Sequence, residues 1–400
     1  MRVKGFALVG NILYDVFMPS QILHILFGED LVAEIYHRLA PKPDSAAGKF
    51  LEKIWDRQGK AFALGCQGPD IFYHSRRARP VGLEYGTLLH RRAAGTFTAW
   101  LLELAIPKRR EDEALAAYAL GFMSHAVLDR AAHPYILYKS VSNSPAKSET
   151  MSAAHSHTFF ERIIDTLMLK KLRGMNVSLW DQEALLAETC ENPPPGLPAL
   201  LETALVRTFP ERAGKDEKLA RRIENTFNDA AYFYRLTTPM RTSSALEKDQ
   251  DSFMFPLKKR HLIYLFPKDL PCDIDFLNLA KKPWFYPVED GKEDVRSFPE
   301  LYLETVDNTA SSLGGIICRF LEGGEAQGEN QAHISADAKK SEADLRLAEA
   351  ARIIGDGGLS IVDKTGKPCA PGRTDPLPLD EVLEKQAVFH GIKKGADANH

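Results

Sequence analysis

The sequence predicts an all-α fold, and three observations support this prediction. Apolar residues recur three and four positions apart through most of the first 325 residues, which is the spacing of helices. No run of alternating apolar and polar residues is long enough to indicate a sheet. The 400 residues are 44% hydrophobic, which is sufficient for a large core. We therefore expect a multi-helix bundle over residues 1–325, followed by a long polar tail over residues 326–400.

The first two helices are delimited by prolines and by a capping residue. Ser20 is a candidate N-cap for a helix through residues 21–39, and Pro41 and Pro43 end that helix. A second helix is predicted over residues 45–59.

A turn interrupts the helices next, in the segment GCQGPDIFYH. Gly65, Gly68 and Pro69 break the helical pattern, which places Asp70 in a turn and not inside a helix. Helical spacing resumes in three further segments, residues 85–104, 111–133 and 155–172.

The second half of the chain continues the helical pattern to about residue 322. Residues 218–236 and 297–322 are predicted helices, separated by the Pro-rich aromatic loop KKPWFYPVEDG. Ser297 and Glu300 form a capping-box pattern, which fixes the start of the last of these helices. The tail beyond is polar and then rich in Gly and Pro, so we expect it to be loosely ordered.

The composition excludes several classes of protein. The formal net charge is −3, so no overall field attracts nucleic acid or an anionic membrane. The five cysteines are scattered without a CxxC pair, which favours a reducing compartment. No segment reaches the ~20 apolar residues that a transmembrane helix needs. The N-terminus lacks a clear signal peptide. A cytoplasmic location is therefore expected.

Histidines are concentrated in the first part of the chain, where eight of the twelve precede residue 160. His125, Asp129 and His133 follow one another at intervals of four, so they share one face of a helix with a drift of about 40° per step. Because Pro134 disfavours helical geometry at the residue before it, His133 is expected at the helix end, turned toward a different centre.

His157 and Glu161 repeat the same spacing on another predicted helix whose neighbouring positions are apolar. Either pair alone is explained by a His–carboxylate hydrogen bond or by a solvated polar face. The two sets of side chains together, one on each helix, supply nitrogen and oxygen donors that suit zinc.

Four ordered motifs resemble those of the bacterial zinc-dependent phospholipase C family, whose superfamily also holds single-strand-specific zinc nucleases. They are GCQGPDIFYH, YGTLLHRR, GFMSHAVLDRAAHPYI and His157-x3-Glu161, and the resemblance covers roughly residues 20 to 170, with weaker similarity in WFYP and SFPELYLE. It implies an all-helical enzyme that binds two or three zinc ions in a cleft and hydrolyses phosphodiesters.

The resemblance also implies a division of ligands among the metals. One zinc would be held by Asp70, His90, His125 and Asp129, and a second by His133, His157 and Glu161. Asp129 would bridge to a third zinc, whose histidine would be His24. Secreted members complete that third site with an N-terminal tryptophan exposed by processing. This chain begins with Met1 and has no Trp near His24, so either another group completes the third site or only two zincs bind tightly.

Some neighbouring residues are secondary candidates. Asp70 would act both as a ligand and as the group that orients or deprotonates the attacking water. Asp165 would accept the N–H of a ligand histidine, and His155 would lie on the surface. A basic and aromatic rim to the cleft is suggested by Arg76, Arg77, Arg79, Arg91, Arg92, Tyr73, Tyr85 and Tyr135.

The preferred hypothesis is a zinc-dependent phosphodiester hydrolase acting on a phospholipid or a related ester, with peripheral membrane contact compatible with that substrate. One alternative keeps the metals and takes single-stranded nucleic acid as the substrate. Another is a helical zinc-binding protein without turnover. The sequence sets no oligomeric state.

Overall fold

The computed structural model describes residues 20–39, 44–106, 113–142, 152–240, 259–288, 290–323, 336–390 and 392. Its helices are α1 (Ile22–Arg38), α2 (Ala46–Gly65), α3 (Leu83–Arg91), α4 (Ala94–Ala105), α5 (Glu113–Ser140), α6 (Ala153–Arg173), α7 (Glu188–Glu191), α8 (Leu197–Thr208), α9 (Leu219–Thr237), α10 (Phe298–Gly323), α11 (Ala336–Ile354) and α12 (Leu379–Phe389). Short 3₁₀ helices include Gly68–His74 and Lys259–Tyr264. Two antiparallel strands, β1 (Trp284–Phe285) and β2 (Glu293–Asp294), pair Trp284 with Asp294. The all-α prediction is confirmed.

Helix α5 is the centre of the bundle. It is buried at 23 of its 28 residues, and α1, α2, α4, α6 and α10 pack around it. A helix that is buried on every side belongs in the interior of a protein, so its polar residues stand out. Three of those buried polar residues are His125, Asp129 and His133.

Helices α2 and α5 meet backbone to backbone at two glycines. A Cβ atom on Gly65 would lie 2.2 Å from the carbonyl oxygen of Tyr118, and one on Gly121 would lie 2.3 Å from that of Phe62. Only glycine allows this approach, because real Cβ contacts are longer than 3 Å. The contact carries the end of α2, and with it Cys66, up against His125.

The helix α5 continues through Pro134 to Ser140. The expectation that His133 sits at a helix end is therefore wrong. Proline removes one backbone hydrogen bond, but the following turn is buried at Tyr135, Ile136 and Leu137, and this packing outweighs the local preference.

Other helix limits also differ in detail from the expected ones. Ser20 does not cap α1, because its hydroxyl donates to the carboxylate of Asp165 and α1 begins at Ile22. The segment 85–104 forms two helices, α3 and α4, separated by Ala93 with φ +62°.

The capping box that starts α10 is confirmed. The backbone N–H of Ser297 donates to Glu300 Oε2 over 3.0 Å, and the N–H of Glu300 donates to Ser297 Oγ over 3.4 Å. Asp70 lies in the 3₁₀ turn Gly68–His74, as expected.

The described part of the C-terminal segment is folded against the bundle, unlike the loosely ordered tail that its composition suggests. Helix α11 packs against α4, and α12 packs against α6 and the turn Lys259–Tyr264. Leu359, Ile361 and Val382 are at most 1% exposed. Burial of these apolar side chains helps to hold the otherwise polar segment against the bundle. A domain boundary at residue 325 remains a prediction.

No helix in the described ranges is long and apolar enough to cross a membrane. All five cysteines are described, and each is a free thiol.

Candidate metal centre

A first buried cluster joins four side chains from three elements. His24 comes from α1, Asp70 from the turn after α2, and His125 and Asp129 from α5, and their candidate ligand atoms all lie within 4.8 Å of one another. The Nε2 atom of His125 is 3.3 Å from an oxygen of Asp70 and 3.3 Å from an oxygen of Asp129. His24 Nε2 is 3.2 Å from the other oxygen of Asp129. The cluster is at most 3% exposed, so its polar atoms face one another instead of water.

His90, on α3, stands beside this cluster. Its Nε2 atom is 2.7 Å from Asp70 Oδ1 and 3.7 Å from Asp129 Oδ2. The structure thus brings His90 next to Asp70 and Asp129, two of the three residues that the sequence assigned to the same metal. It also stacks His24 on His125, with ring centroids 3.9 Å apart.

A second buried cluster lies one helical turn away and joins α5 to α6. His133 Nε2 is 3.6 Å from Glu161 Oε1, and His157 Nε2 is 3.0 Å from the same oxygen. The predicted grouping of His133, His157 and Glu161 is therefore present. Asp129 lies between the clusters, since its Oδ2 atom is 3.7 Å from His133 Nδ1.

Three of these histidines are held by backbone carbonyls through Nδ1. The acceptors are Gly86 for His90 at 2.8 Å, Cys66 for His125 at 3.1 Å, and Leu359 for His133 at 3.1 Å. A carbonyl oxygen only accepts, so each Nδ1 carries the proton. Each Nε2 then points into its cluster, which is how ligand histidines are oriented in metalloproteins.

Several buried polar atoms lack a hydrogen-bond partner within the described ranges. They are Asp70 Oδ2, His125 Nε2, Asp129 Oδ2 and Glu161 Oε2. Each such atom costs about 1–3 kcal/mol unless something binds it. Ligands at ~2.0–2.1 Å from a tetrahedral zinc are about 3.4 Å apart. Four of the separations between candidate ligand atoms, at 3.2–3.6 Å, are close to that spacing. The separations from His157 to Glu161, at 3.0 Å, and from His90 to Asp70, at 2.7 Å, are shorter. The donor types and their spacing therefore fit zinc.

The sequence profile of the zinc-dependent phospholipase C family matches residues 23–238. The chain belongs to this zinc-dependent phospholipase C family. No curated protein and no solved structure matches the chain. The family is one of hydrolases, and the match includes every residue of both clusters.

Burial and close charges shift the pKa values of the cluster residues in different directions. Burial, helped by His125, lowers the pKa of His24 to about 4, which keeps its imidazole neutral. Burial opposes charge on Glu161, but His157 and His133 outweigh it and lower the pKa of that carboxyl to about 2. Burial, together with the neighbouring carboxylates of Asp129 and Glu161, raises the pKa of Asp70 well above its usual range. Such separated pKa values are common at the functional sites of enzymes.

Both clusters open onto one cleft with a volume of about 750 Å³. Asp70 of the first cluster, the neighbouring His90 and His133 of the second cluster line it. One wall comes from α3, and the other comes from residues 356–371, which lie beyond the part of the chain that matches the zinc-dependent phospholipase C family.

The predicted basic and aromatic rim is present only in part. Arg91, Arg92 and Tyr73 line the cleft. Tyr85 and Tyr135 are fully buried and donate to Asp216 and to the carbonyl of Phe276. Arg76, Arg77 and Arg79 are not among the residues that line the cleft, and the Arg77 guanidinium stacks on Tyr232.

Asp165 has a different role from the one expected. Its carboxylate accepts the backbone N–H groups of Gln21 at 3.0 Å and Leu23 at 2.7 Å, so it caps α1 from α6. The free amides and the positive dipole end of a helix attract a carboxylate. Asp165 therefore fixes the start of the helix that carries His24. His155 is outside both clusters, as expected.

Sequence reasoning missed Leu359 and Arg130. The Leu359 carbonyl that orients His133 lies in the segment GDGGLS, which carries no helical period and no ligand pattern. Nothing in that segment indicates a neighbour 226 residues earlier in the chain.

Proposed function

We propose that this chain is a zinc-dependent phosphodiester hydrolase acting on phospholipids. The observation that carries the proposal is the meeting of two buried nitrogen and oxygen donor clusters at the floor of one cleft. Membership of the zinc-dependent phospholipase C family supports it.

The proposed ligands follow the two clusters. The first metal is held by Asp70, His90, His125 and Asp129, and the second by His133, His157 and Glu161. Asp129 presents one oxygen to His24 and the other to His125, at 3.2 and 3.3 Å, which supports a bridging role toward a third metal with His24 as its ligand.

Bound zinc acidifies water to a pKa near 7 and neutralises charge on the phosphate. Asp70 orients the attacking water, because it is the carboxylate of the first cluster that lines the cleft. Its Oδ1 atom is 2.7 Å from His90 Nε2, and its Oδ2 atom has no hydrogen bond in the described structure. Arg91 and Arg92, which also line the cleft, attract the phosphate group of the substrate.

The cleft lining favours a lipid over a nucleic acid. It includes the aliphatic side chains of Leu88, Leu137, Ile361, Pro368 and Pro371, and its one aromatic ring besides the histidines, within the described residues, is Tyr73. A nuclease needs aromatic platforms on which bases stack. A lipid substrate would also bring the protein into peripheral contact with a membrane.

Nucleic acid remains the second candidate because of three cations at the cleft. Arg91, Arg92 and Lys367 all line it and are exposed, which would suit a polyanion.

A zinc-loaded activity screen tests the proposal. The full chain is stripped with a chelator, reloaded with zinc and assayed on phospholipid vesicles, single-stranded DNA and a nitrophenyl phosphodiester. We expect zinc-dependent release of the phosphorylated headgroup. Asp129→Asn should lower the rate by more than about 100-fold, since partners outside the ligand shell alone are worth about 10–100-fold. His37→Asn is the matched control, because His37 is exposed and lies outside both clusters.

Each other outcome of the screen would favour a different hypothesis or contradict all of them. Cleavage of DNA without cleavage of lipid would select the nuclease. Full zinc loading with no turnover of any substrate would indicate a zinc-binding protein without catalysis. A purified chain that binds no zinc would contradict all three hypotheses.

A further inference from the structure

A segment that lies outside the residues matched by the family contacts the histidines of the metal centre. We call residues 355–361 the strap. Its first residues are fixed to the N-terminus of α4. The Gly95 N–H donates to the Gly355 carbonyl over 3.0 Å, and the N–H and hydroxyl of Thr96 donate to the Asp356 carboxylate over 2.7 and 2.6 Å. The strap is thereby tied to the helix that follows α3.

Arg130 makes a second anchor from α5. Its guanidinium donates to the carbonyl oxygens of Ile354, Gly355, Gly357 and Gly358, the last three at 3.1, 3.2 and 3.4 Å. Charged donors make strong hydrogen bonds, and the planar guanidinium fixes several acceptors in one geometry. Arg130 follows Asp129 directly, so the anchor and the metal cluster share one turn of α5.

Leu359 then connects the strap to both clusters. Its N–H donates to the backbone carbonyl of His90 over 2.9 Å, and its carbonyl accepts from His133 Nδ1 over 3.1 Å. The residue is fully buried. Because Nδ1 is occupied in this way, His133 Nε2 faces Glu161 in the second cluster. The His90 ring is held separately, by Gly86 of its own helix.

We propose that the strap is a positioning element of the metal centre, in which the Leu359 carbonyl, held in place by Arg130 and Asp356, aims His133 at the second metal. This inference rests on the proposed metal centre. The other acceptor near His133 Nδ1 is Asp129 Oδ2, at 3.7 Å. Without the strap, the imidazole would turn toward Asp129 and would share a carboxylate that the first metal needs.

Zinc affinity tests the proposal without relying on turnover. The full chain is titrated with zinc in competition with a chromophoric chelator, which yields separate affinities for the two clusters. Arg130→Met removes the guanidinium that donates hydrogen bonds to the strap and keeps a similar side-chain volume. We expect this variant to bind zinc about 10–100-fold more weakly at the second cluster. The affinity of the first cluster should stay unchanged. Arg130→Lys, which keeps the charge and one donor group, should recover part of the loss.

Two further variants separate positioning from general stability. Asp356→Ala removes the other anchor at an exposed side chain and should cause a smaller loss at the same cluster, even if Arg130→Met does not fold. His157→Gln removes a second-cluster ligand, and in that background Arg130→Met should have no effect on the zinc that remains.

The outcomes distinguish this inference from the proposed function. Equal weakening of both zincs, or a less stable chain with both affinities unchanged, would overturn the positioning role. Selective loss at the second cluster in a chain that cleaves no phosphodiester would support the strap and refute the proposed function.

Discussion

The glycine contact between α2 and α5 gives a quantitative prediction for Gly121→Ala. The new Cβ atom would lie 2.3 Å from the carbonyl oxygen of Phe62 and 2.8 Å from the amide nitrogen of Cys66. Ordinary contacts of this kind begin at 3.4 Å, so the helices must separate by about 1 Å. Both facing atoms belong to the backbone, so no side chain can rotate to relieve the overlap.

The separation should affect both stability and metal binding. Overpacking of a close contact costs about 1–3 kcal/mol of unfolding free energy. The hydrogen bond from His125 Nδ1 to the Cys66 carbonyl, now 3.1 Å, would lengthen beyond hydrogen-bond range. We therefore expect the zinc affinity of the first cluster to fall about 10–100-fold.

The control is Gly315→Ala on α10, where the nearest atom to a new Cβ is the Arg319 guanidinium at 3.9 Å. That substitution should stabilise the chain by about 0.5–1 kcal/mol through helix propensity alone. Urea unfolding of both variants, followed by zinc titration, isolates the cost of the contact. The reasoning fails if Gly121→Ala is as stable as Gly315→Ala and binds zinc like the unchanged chain.

Two other substitutions test buried groups near the site. Asp165→Asn leaves Arg162 buried without its carboxylate partner and places an amide against the N–H groups at the start of α1. The free energy of unfolding, measured in urea, should therefore fall by about 3–5 kcal/mol. A decrease below about 1 kcal/mol would contradict the capping role. His74 is stacked on Phe233, and burial, with Arg162, lowers its pKa to about 3. Below pH 6.5 the His74 side chain binds a proton in the unfolded chain but stays neutral in the folded chain, so the free energy of unfolding decreases as the pH is lowered. Between pH 6.5 and 4.5 the His74→Phe variant should therefore lose about 2 kcal/mol less unfolding free energy than the unchanged chain, as measured by urea titrations at both pH values. Equal losses in the two proteins would contradict this.

Five of the candidate ligands could be predicted from a local pattern, whereas His24, Asp70 and His90 are assigned through the family resemblance. His125, Asp129 and His133 follow from a four-residue interval, and the same interval pairs His157 with Glu161, so helix geometry alone puts them on shared faces. The structure brings His133, His157 and Glu161 together in the predicted group, whereas the first cluster contains His24 beside Asp70, His125 and Asp129.

The features that were missed depend on contacts between distant parts of the chain. Pro134 is a helix breaker by local preference, and only the burial of the turn that follows explains why α5 continues. Asp165 lies on the same stripe as His157 and Glu161, yet the start of α1 happens to pass beside it. Leu359 acts through a backbone carbonyl, which every residue has, so no residue type marks it in the sequence.

The distance along the chain between Leu359 and His133 has a consequence for how the centre is assembled. A growing chain that has completed α6 already carries every candidate ligand side chain, but the carbonyl that aims His133 is made 226 residues after that histidine. Since proteins are synthesised from the N-terminus and fold as they emerge, the supply of ligands and their final orientation are separated in time. Zinc that arrives early meets a second site that is still incomplete, and Leu359, made long after the ligands, sets its final geometry.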